Sequence, residues 1–286
     1  KDNRFSFNSA YSFTKPNWKW KHKYGAGLSV ESDYVSTNLS SAFSRYSKNE
    51  MNYYKVGTNI YFDKWVIIYP EEIRGTDRVY SETDNRNSYQ VNFSFQRNLS
   101  KRINFSASIS PSFQSGILST PFHRVYFLED SLPKNEQLPN TRWRVPLGFR
   151  LNTYINDYFV IRLAEGFYYD DFGIMAFHSQ VELPMKSGLG FMFFPFYRYY
   201  TQTESDYFKS YKEHTNTTKY FTSDYDLSKF YSHKIGIGTR IAPLYGIGGN
   251  KKTATYSALK SLELRLSLYL RSDDLSAFII GSKFEF

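Results

Sequence analysis

Strict alternation of apolar and polar residues, sustained over many runs, constrains this chain more than any other feature. Tyr89, Val91, Phe93 and Phe95 alternate with Gln90, Asn92, Ser94, Gln96 and Asn98. In the next run Ile103, Phe105, Ala107 and Ile109 face one way, and Asn104, Ser106, Ser108, Ser110 and Ser112 the other. Period two puts successive side chains on opposite faces of a strand, whereas on a helix of 3.6 residues per turn it scatters the apolar ones around the cylinder. The pattern continues with charge on the polar side. Trp143, Val145, Leu147, Phe149 and Leu151 alternate with Arg142, Arg144, Arg150 and Asn152, and Leu262 to Leu270 alternate with Glu263, Arg265, Ser267, Tyr269 and Arg271. An all-β fold is expected, each strand having one apolar and one polar face.

Strands are expected over 4–13, 22–32, 34–46, 52–62, 65–70, 88–98, 102–114, 141–155, 158–169, 173–183, 188–201, 225–241, 259–271 and 275–286. Most have the ten or so residues that a strand tilted near 45° needs to cross a bilayer. In residues 188–201 both faces carry phenylalanine, with Phe191 and Phe193 on one side and Phe194 and Phe196 on the other.

Composition narrows the choice. Aromatic residues are 20% of the chain, with 26 Tyr and 26 Phe, yet mean hydropathy is −0.53. So many aromatics with so polar an average must be segregated, on one face of each strand or in belts at a membrane interface. No segment approaches the roughly 18 consecutive apolar residues of a spanning helix, which excludes a helical membrane protein. A soluble sheet would show lysine and glutamate at many positions of its polar face, whereas the polar faces of 88–98 and 102–114 are almost wholly Ser, Asn and Gln, which suits a hydrated interior. The reading is one domain over 1–286, a closed antiparallel transmembrane β-barrel of about 14 strands (range about 12–16) with short periplasmic turns and longer extracellular loops, in the bacterial outer membrane.

The links supply a second argument, because the two classes should alternate along the chain. Short links are expected at Asp33, Asp63-Lys64, Ser100-Lys101, Asn156-Asp157 and 184–187, and long ones at 71–87, 115–140 and 202–224 on the opposite side. The link 242–258 is long for a periplasmic turn and is a candidate for structure of its own. The chain ends on alternating Phe278, Ile280, Ser282, Phe284 and Phe286, similar to the last strand that the outer-membrane insertion machinery recognises. It opens with Lys1-Asp2-Asn3-Arg4 and runs straight into alternation, without a signal peptide, and is read as a processed form.

Several stretches resemble an uncharacterised family of outer-membrane barrels from Bacteroidota and related bacteria, one of the numbered domains of unknown function. They are Phe62-Asp63-Lys64-Trp65, Ile68-Tyr69-Pro70-Glu71-Glu72-Ile73-Arg74, 120–127 (Thr-Pro-Phe-His-Arg-Val-Tyr-Phe), 168–174 (Tyr-Tyr-Asp-Asp-Phe-Gly-Ile), 195–200 and 222–230. Phe172 stands where that family favours Trp, and 31–45 is abbreviated. The resemblance implies fold and location. It brings no activity to any residue, though family members are encoded near thioredoxin-like and flavin-attaching proteins.

Candidate sites lie mainly on the polar side. Arg142, Arg144, Arg150, Arg162, Arg198, Arg240, Arg265 and Arg271 are expected in the lumen, with Glu182 and Glu263 as counter-charges. They would either favour anionic solutes or pair across neighbouring strands and fill the barrel. Ser6, Asn8, Ala10, Ser36, Asn38 and Ser40 instead leave room for water or an inserted loop. Trp18 and Trp20, within the Trp-Lys run of the first outward loop, are read as membrane-interface anchors together with Trp65, Phe284 and Phe286. The net charge of +9 and pI near 9.3 suit anionic lipid as well as nucleic acid, and the spread of Lys and Arg along the chain favours lipid.

Absent cysteine excludes disulfides, thiolate metal sites and thiol catalysis. Among His22, His123, His178, His214 and His233 no pair has ligand spacing, although His178, Gln180 and Glu182 share a face. Asp170-Asp171 and Asp273-Asp274 fall in outward links, where a solvated turn is the simpler reading than calcium. No phosphate loop or hydrolase triad is present. The expectation is a non-enzymatic barrel without cofactor or metal, passing small polar or anionic solutes, or else a plugged scaffold. Its expected partners are outer-membrane lipid and lipopolysaccharide, with lipoproteins or another barrel for the scaffold, and not nucleic acid.

Overall fold

The computed structural model describes residues 3–15, 19–69, 81–188, 190–249, 252–253 and 255–286. In chain order the strands are β1 (Phe5–Thr14), β2 (Lys21–Val30), β3 (Tyr34–Tyr46), β4 (Asn52–Ile68), β5 (Ser81–Asn98), β6 (Ile103–Ile109), β7 (Ser112–Gly116), β8 (Arg124–Val125), β9 (Lys134–Asn135), β10 (Thr141–Tyr154), β11 (Val160–Asp170), β12 (Met175–Glu182), β13 (Met185–Lys186), β14 (Phe191–Gln202), β15 (Phe230–Ile241), β16 (Ser261–Arg271) and β17 (Ser276–Glu285). One 3-10 turn, η1, spans Tyr225–Leu227. Fifteen strands form a single antiparallel sheet in the order β1-β2-β3-β4-β5-β6-β10-β11-β12-β14-β15-β16-β17, with β7 and β13 off the path, and β8 and β9 form a small separate hairpin.

Thirteen strands therefore lie on the path, one fewer than the alternation suggests. The expected fourth and fifth strands are one, β4, and the Asp63-Lys64 link does not exist. Asp63 stays in the ladder opposite Arg86, its carboxylate bonded to the guanidinium at 3.0 and 3.1 Å, while Lys64 stands on the other face. An Asp-Lys pair that reads as a turn is thus an ion-paired position inside a long strand. β5 starts seven residues before its alternating part, because the Ser81–Asn87 side pairs with the end of β4. Pro111 has no N–H and breaks the expected strand 102–114 into β6 and β7, which keep one register against β5 and β10. Residues 225–227, expected in a strand, form η1, which Asp224 caps by accepting from the Asp226 N–H at 2.9 Å.

The register sorts the side chains cleanly. One face carries the apolar residues of nearly every strand, and these are open to the surroundings: Leu264, Leu266, Leu268 and Leu270 are 40–45% exposed, Ile235 58% and Phe7 62%. The other face is polar and concave. Arg265 of β16 reaches over β14 and β15 to bond Glu182 of β12 at 3.1 Å, which only a curved sheet permits. The phenylalanines of β14 divide as their positions require. Phe191 and Phe193 join the apolar face, and Phe194 and Phe196 lie buried on the polar one, under the Arg265 guanidinium at 4.6 and 5.6 Å. Gly238 makes room for them, since a Cβ there would lie 1.9 Å from the Phe194 ring.

Among the described residues the cluster of buried apolar side chains lies outside the main sheet, in which Ile67, Phe194, Phe196 and Phe230 are also buried. Val125, Phe127 and Phe221, exposed by 0%, 1% and 7%, cluster in two links, 117–140 and 203–229. Gln137 and Phe221 exchange two backbone hydrogen bonds at 3.1 and 2.7 Å, and the Leu128 N–H donates to the His214 carbonyl at 2.9 Å. Buried Glu136 accepts from Thr222 Oγ1 and the Thr120 N–H, both at 2.5 Å. These two links form a cap across one end of the concave face, joined at one side to β5 by the Ile117 N–H donating to the Asn85 carbonyl at 3.0 Å and at the other to Arg271, which donates to Asp226 at 2.6 Å.

With one strand fewer, the ends of the sheet are redistributed. The links 117–140 and 203–229 share the cap end with 31–33, 171–174 and 272–275, and β4 ends and β5 begins there, at Ile68 and Ser81. The opposite end carries 47–51, 99–102 and 155–159, with the described residues of the links after β1, β12 and β15. The long links still fall at one end, but the Trp-Lys run stands opposite them and Asp33 beside them, the reverse of the expectation. The link 242–260 does have structure, with the Ile247 N–H donating to the Leu259 carbonyl at 2.7 Å and the Ser257 N–H to that of Tyr245 at 2.8 Å. Among the described residues no ladder joins β1 to β17, and these two edges run in the same direction because every step of the thirteen-strand path is antiparallel.

Candidate functional site on the concave face

Every arginine and glutamate expected in the lumen stands on this polar face. Rows of register partners fix their order: Arg162, Glu182, Phe196, Gly236 and Ser267 form one row, and Arg150, Ala164, Gln180, Arg198, Lys234 and Tyr269 the next. The alternation places these side chains together, because in an antiparallel sheet partners of equal parity share a face.

Five of the eight arginines are neutralised. Arg142 is bonded to Asp170, whose side chain is fully buried and which also accepts from Tyr168 Oη at 2.7 Å and from the Phe172 and Ile174 N–H groups at 3.1 and 3.0 Å. Arg162 and Arg265 clamp Glu182 at 2.8 and 3.1 Å, and Arg265 also bonds Glu263 at 2.7 Å. Arg240 pairs with Glu285 at 2.9 Å. Arg271 binds Asp226 and Asp273, both at 2.6 Å, with its guanidinium 3.9 Å from the centre of the Phe230 ring. That guanidinium holds the Asp273 carboxyl below the usual carboxylate range by hydrogen bonding to it.

Arg144, Arg150 and Arg198 form no ion pair among the described residues, and neither does Lys234, which stands directly opposite Arg198. The Nε groups of Arg144 and Arg198 are shielded and lack a hydrogen-bond partner. One row nearer the cap, His178 lies against Gly166, where a Cβ would sit 2.0 Å from the imidazole. Beside it opens a cavity of about 500 Å³ lined by Ser108, Arg142, His178, Tyr200, Gln202 and Asp226. Gln202 Nε2 donates to the Asp226 and Ser228 carbonyls at 2.9 and 2.6 Å, so the cap forms the roof of this cavity.

The other half of the face is nearly neutral. Asn8 and Asn38 meet across β2 at 3.4 Å, and Ser6, Ala10, Ser36 and Ser40 share their side. The expected anchors separate. Phe284 and Phe286 are 55% and 75% exposed, and Phe284 stands on the apolar face. Trp20 lies in a link under the Arg45 guanidinium at 5.1 Å. Trp65 stands instead on the polar face, against Tyr34 at 4.8 Å and Arg86 at 5.2 Å, since it shares parity with Asp63. Trp18 lies outside the described residues. Sequence reasoning passed over Lys234 and placed Asp170 in a solvated outward link, whereas Asp170 ends β11 with its side chain fully buried against Arg142. Lys234 has the same parity as Arg240, and Asp170 continues the parity of Tyr168, so the alternation contained both.

Among the described residues no three His, Asp or Glu side chains are grouped to hold a metal. Residues 1–243 match the family described as a protein of unknown function, DUF3570. The chain belongs to that family. No curated protein matches it. Within this DUF3570 chain the matched span includes the cap and every strand from β1 to β15, hence Arg150, His178, Arg198 and Lys234 but not the Arg265 partner of Glu182.

Proposed function

We propose that this chain is a bacterial outer-membrane β-barrel that passes small polar or anionic solutes, with a folded cap over one mouth and no catalytic role. The observation that carries this reading is the distribution of charge and oil about one curved sheet: a wide apolar face left open, and a polar concave face whose cations exceed its acids. An apolar face of that extent requires a non-aqueous covering, here lipid and lipopolysaccharide. Strands of 10 to 18 residues in β1, β4, β5, β10 and β14 to β17 meet the length a tilted crossing needs. Closure joins the edges β1 and β17.

Two measurements test it. A cysteine at Ala10 is combined with one at Ala277, Ile279 or Gly281, residues that the register puts on the same face, and closure gives an intramolecular disulfide for at least one pair in membranes. The protein is then reconstituted in planar bilayers and liposomes. Conductance with solute flux is expected, and their absence defeats the transport reading.

A second reading is favoured by the cap, whose own apolar core gives a rigid surface at the mouth: a plugged scaffold bound to lipoproteins or another barrel. Recovery of the chain alone in a native pull-down, at high yield in mild detergent, would count against it.

A further inference from the structure

Two unpaired cations of the concave face, Arg198 and Lys234, stand side by side, with Arg150 three strands along the same row, roughly 14 Å away. Arg198 and Lys234 are register partners on β14 and β15, which brings their Cβ atoms to within about 5.5 Å. Like charges directly opposite one another destabilise a sheet, and nothing among the described residues relieves this pair. The nearest acid in the adjoining row, Glu182, is already taken by Arg162 and Arg265. Glu165 stands by register on the apolar side, bonded by Ser179 Oγ at 2.8 Å. Arg150 belongs to the same row, and both it and Arg198 are within electrostatic reach of His178.

We infer that Arg198, Lys234 and Arg150, with His178 beside them, form a binding site for a small polyanion bearing two or more charges on phosphate or carboxylate oxygens. Three observations support the ligand class. The cations lack any internal counter-charge, the guanidinium of Arg198 has an unused, shielded Nε–H, and the adjoining cavity of about 500 Å³ is of the size that admits a small molecule. Guanidinium groups grip planar oxyanions with paired hydrogen bonds, and a flanking ammonium adds a point charge without geometric demand. Tyr200 and Gln202 line the cap side of the cavity and are held by bonds of their own, Tyr200 Oη donating to Gln202 Oε1 at 2.6 Å. A bound anion would offset the repulsion that the empty site carries.

This inference rests on reading the concave face as water-filled interior, and the experiment separates the two. Pyrophosphate and citrate are titrated calorimetrically into the full-length protein in detergent, with acetate as the monovalent control. Micromolar to submillimolar binding that weakens steeply with salt is expected for the first two and not for acetate. Arg198→Gln and Lys234→Gln should each weaken it roughly tenfold or more, and Arg150→Gln less, while Lys55→Gln, a cation on the same face of β4, leaves it unchanged. Circular dichroism and heat-modifiable gel mobility verify the fold of each variant, and Arg198→Lys provides a charge-conserving replacement. No binding by the wild type, equal binding by all variants, or equal loss in Lys55→Gln would overturn the site. Conductance blocked by pyrophosphate in the wild type but not in Arg198→Gln supports both readings. Binding without conductance supports the site and removes the transport reading; conductance without binding does the reverse.

Discussion

The sheet and the cap are built on opposite plans. In the cap, Val125, Phe127 and Phe221 are buried against one another, with Glu136 and Thr222 hydrogen-bonded beside them and His214 Nε2 bonded to the Thr222 carbonyl. In the sheet, the leucines of β16 and the isoleucines of β15 remain open, and the buried side chains of the concave face are mostly polar, among them Asp63, Asp170, Glu182, Ser232 and Ser267, with Ile67, Phe194, Phe196 and Phe230 beside them. Burial of oil by protein accounts for the cap. It cannot account for the sheet, whose stability must come from its ladders, from paired charge on the concave side and, under the proposed reading, from a covering of lipid. The comparison teaches that residue type alone does not tell where a core lies: Phe127 and Leu266 are both large and apolar, and only one of them is a core residue.

The sharpest way to break this contrast is to remove the cap's core. Phe127→Ala should cost the cap about 3–5 kcal/mol, the usual range for emptying a buried aromatic site. Hydrogen exchange or limited proteolysis should show 117–140 and 203–229 loosened together, with the sheet's amides still protected. Loss of protection in β10 and β14 to the same degree would mean that cap and sheet are one cooperative unit.

The converse substitution acts on the sheet. Leu266→Arg, on the open face, should cost about 2–4 kcal/mol for insertion into lipid if that position lies near the bilayer midplane. Equilibrium folding into vesicles measures it. In a sheet whose open face met water the same change would be harmless and would raise solubility, and that outcome would end the membrane reading.

How much of this was legible beforehand follows from the physics of each region. Period two marks the face of every side chain directly, so the polar positions of Arg150, Glu182, Arg198 and Arg265 could be assigned without coordinates. Strand continuity could not. Asp63-Lys64 resembles a turn unless its partner Arg86 is known, and that partner lies 23 residues away. The 81–87 part of β5 carries no alternation of its own and is ordered by its neighbour. The cap was illegible for a third reason: its contacts are long-range pairs such as Thr222 with Glu136, 86 residues apart, between segments without periodicity. The split between paired and unpaired arginines has the same origin, because parity gives the face but not the partner. The family match does not resolve it either, since it identifies relatives without assigning them chemistry.

The smallest effect distinguishes cap from sheet through acid. His214 is 1% exposed, lies among Phe127, Phe221 and the Thr222 carbonyl, and its Nδ1 has no partner. Burial pushes its pKa down, with Lys209 adding to the shift and the Thr222 carbonyl and Glu213 opposing it. A histidine lowered on folding binds fewer protons in the folded state, so its contribution is complete above the unfolded value of about 6.5 and declines as pH falls through and below it. Asp273, held low by Arg271, loses its contribution only at far lower pH, after the ordinary carboxylates have begun to protonate. Between pH 7.5 and 5 the cap should therefore exchange its amides faster. His214→Gln should abolish the difference. An acid response confined to the sheet, or retained in full by His214→Gln, would place the sensitive group elsewhere.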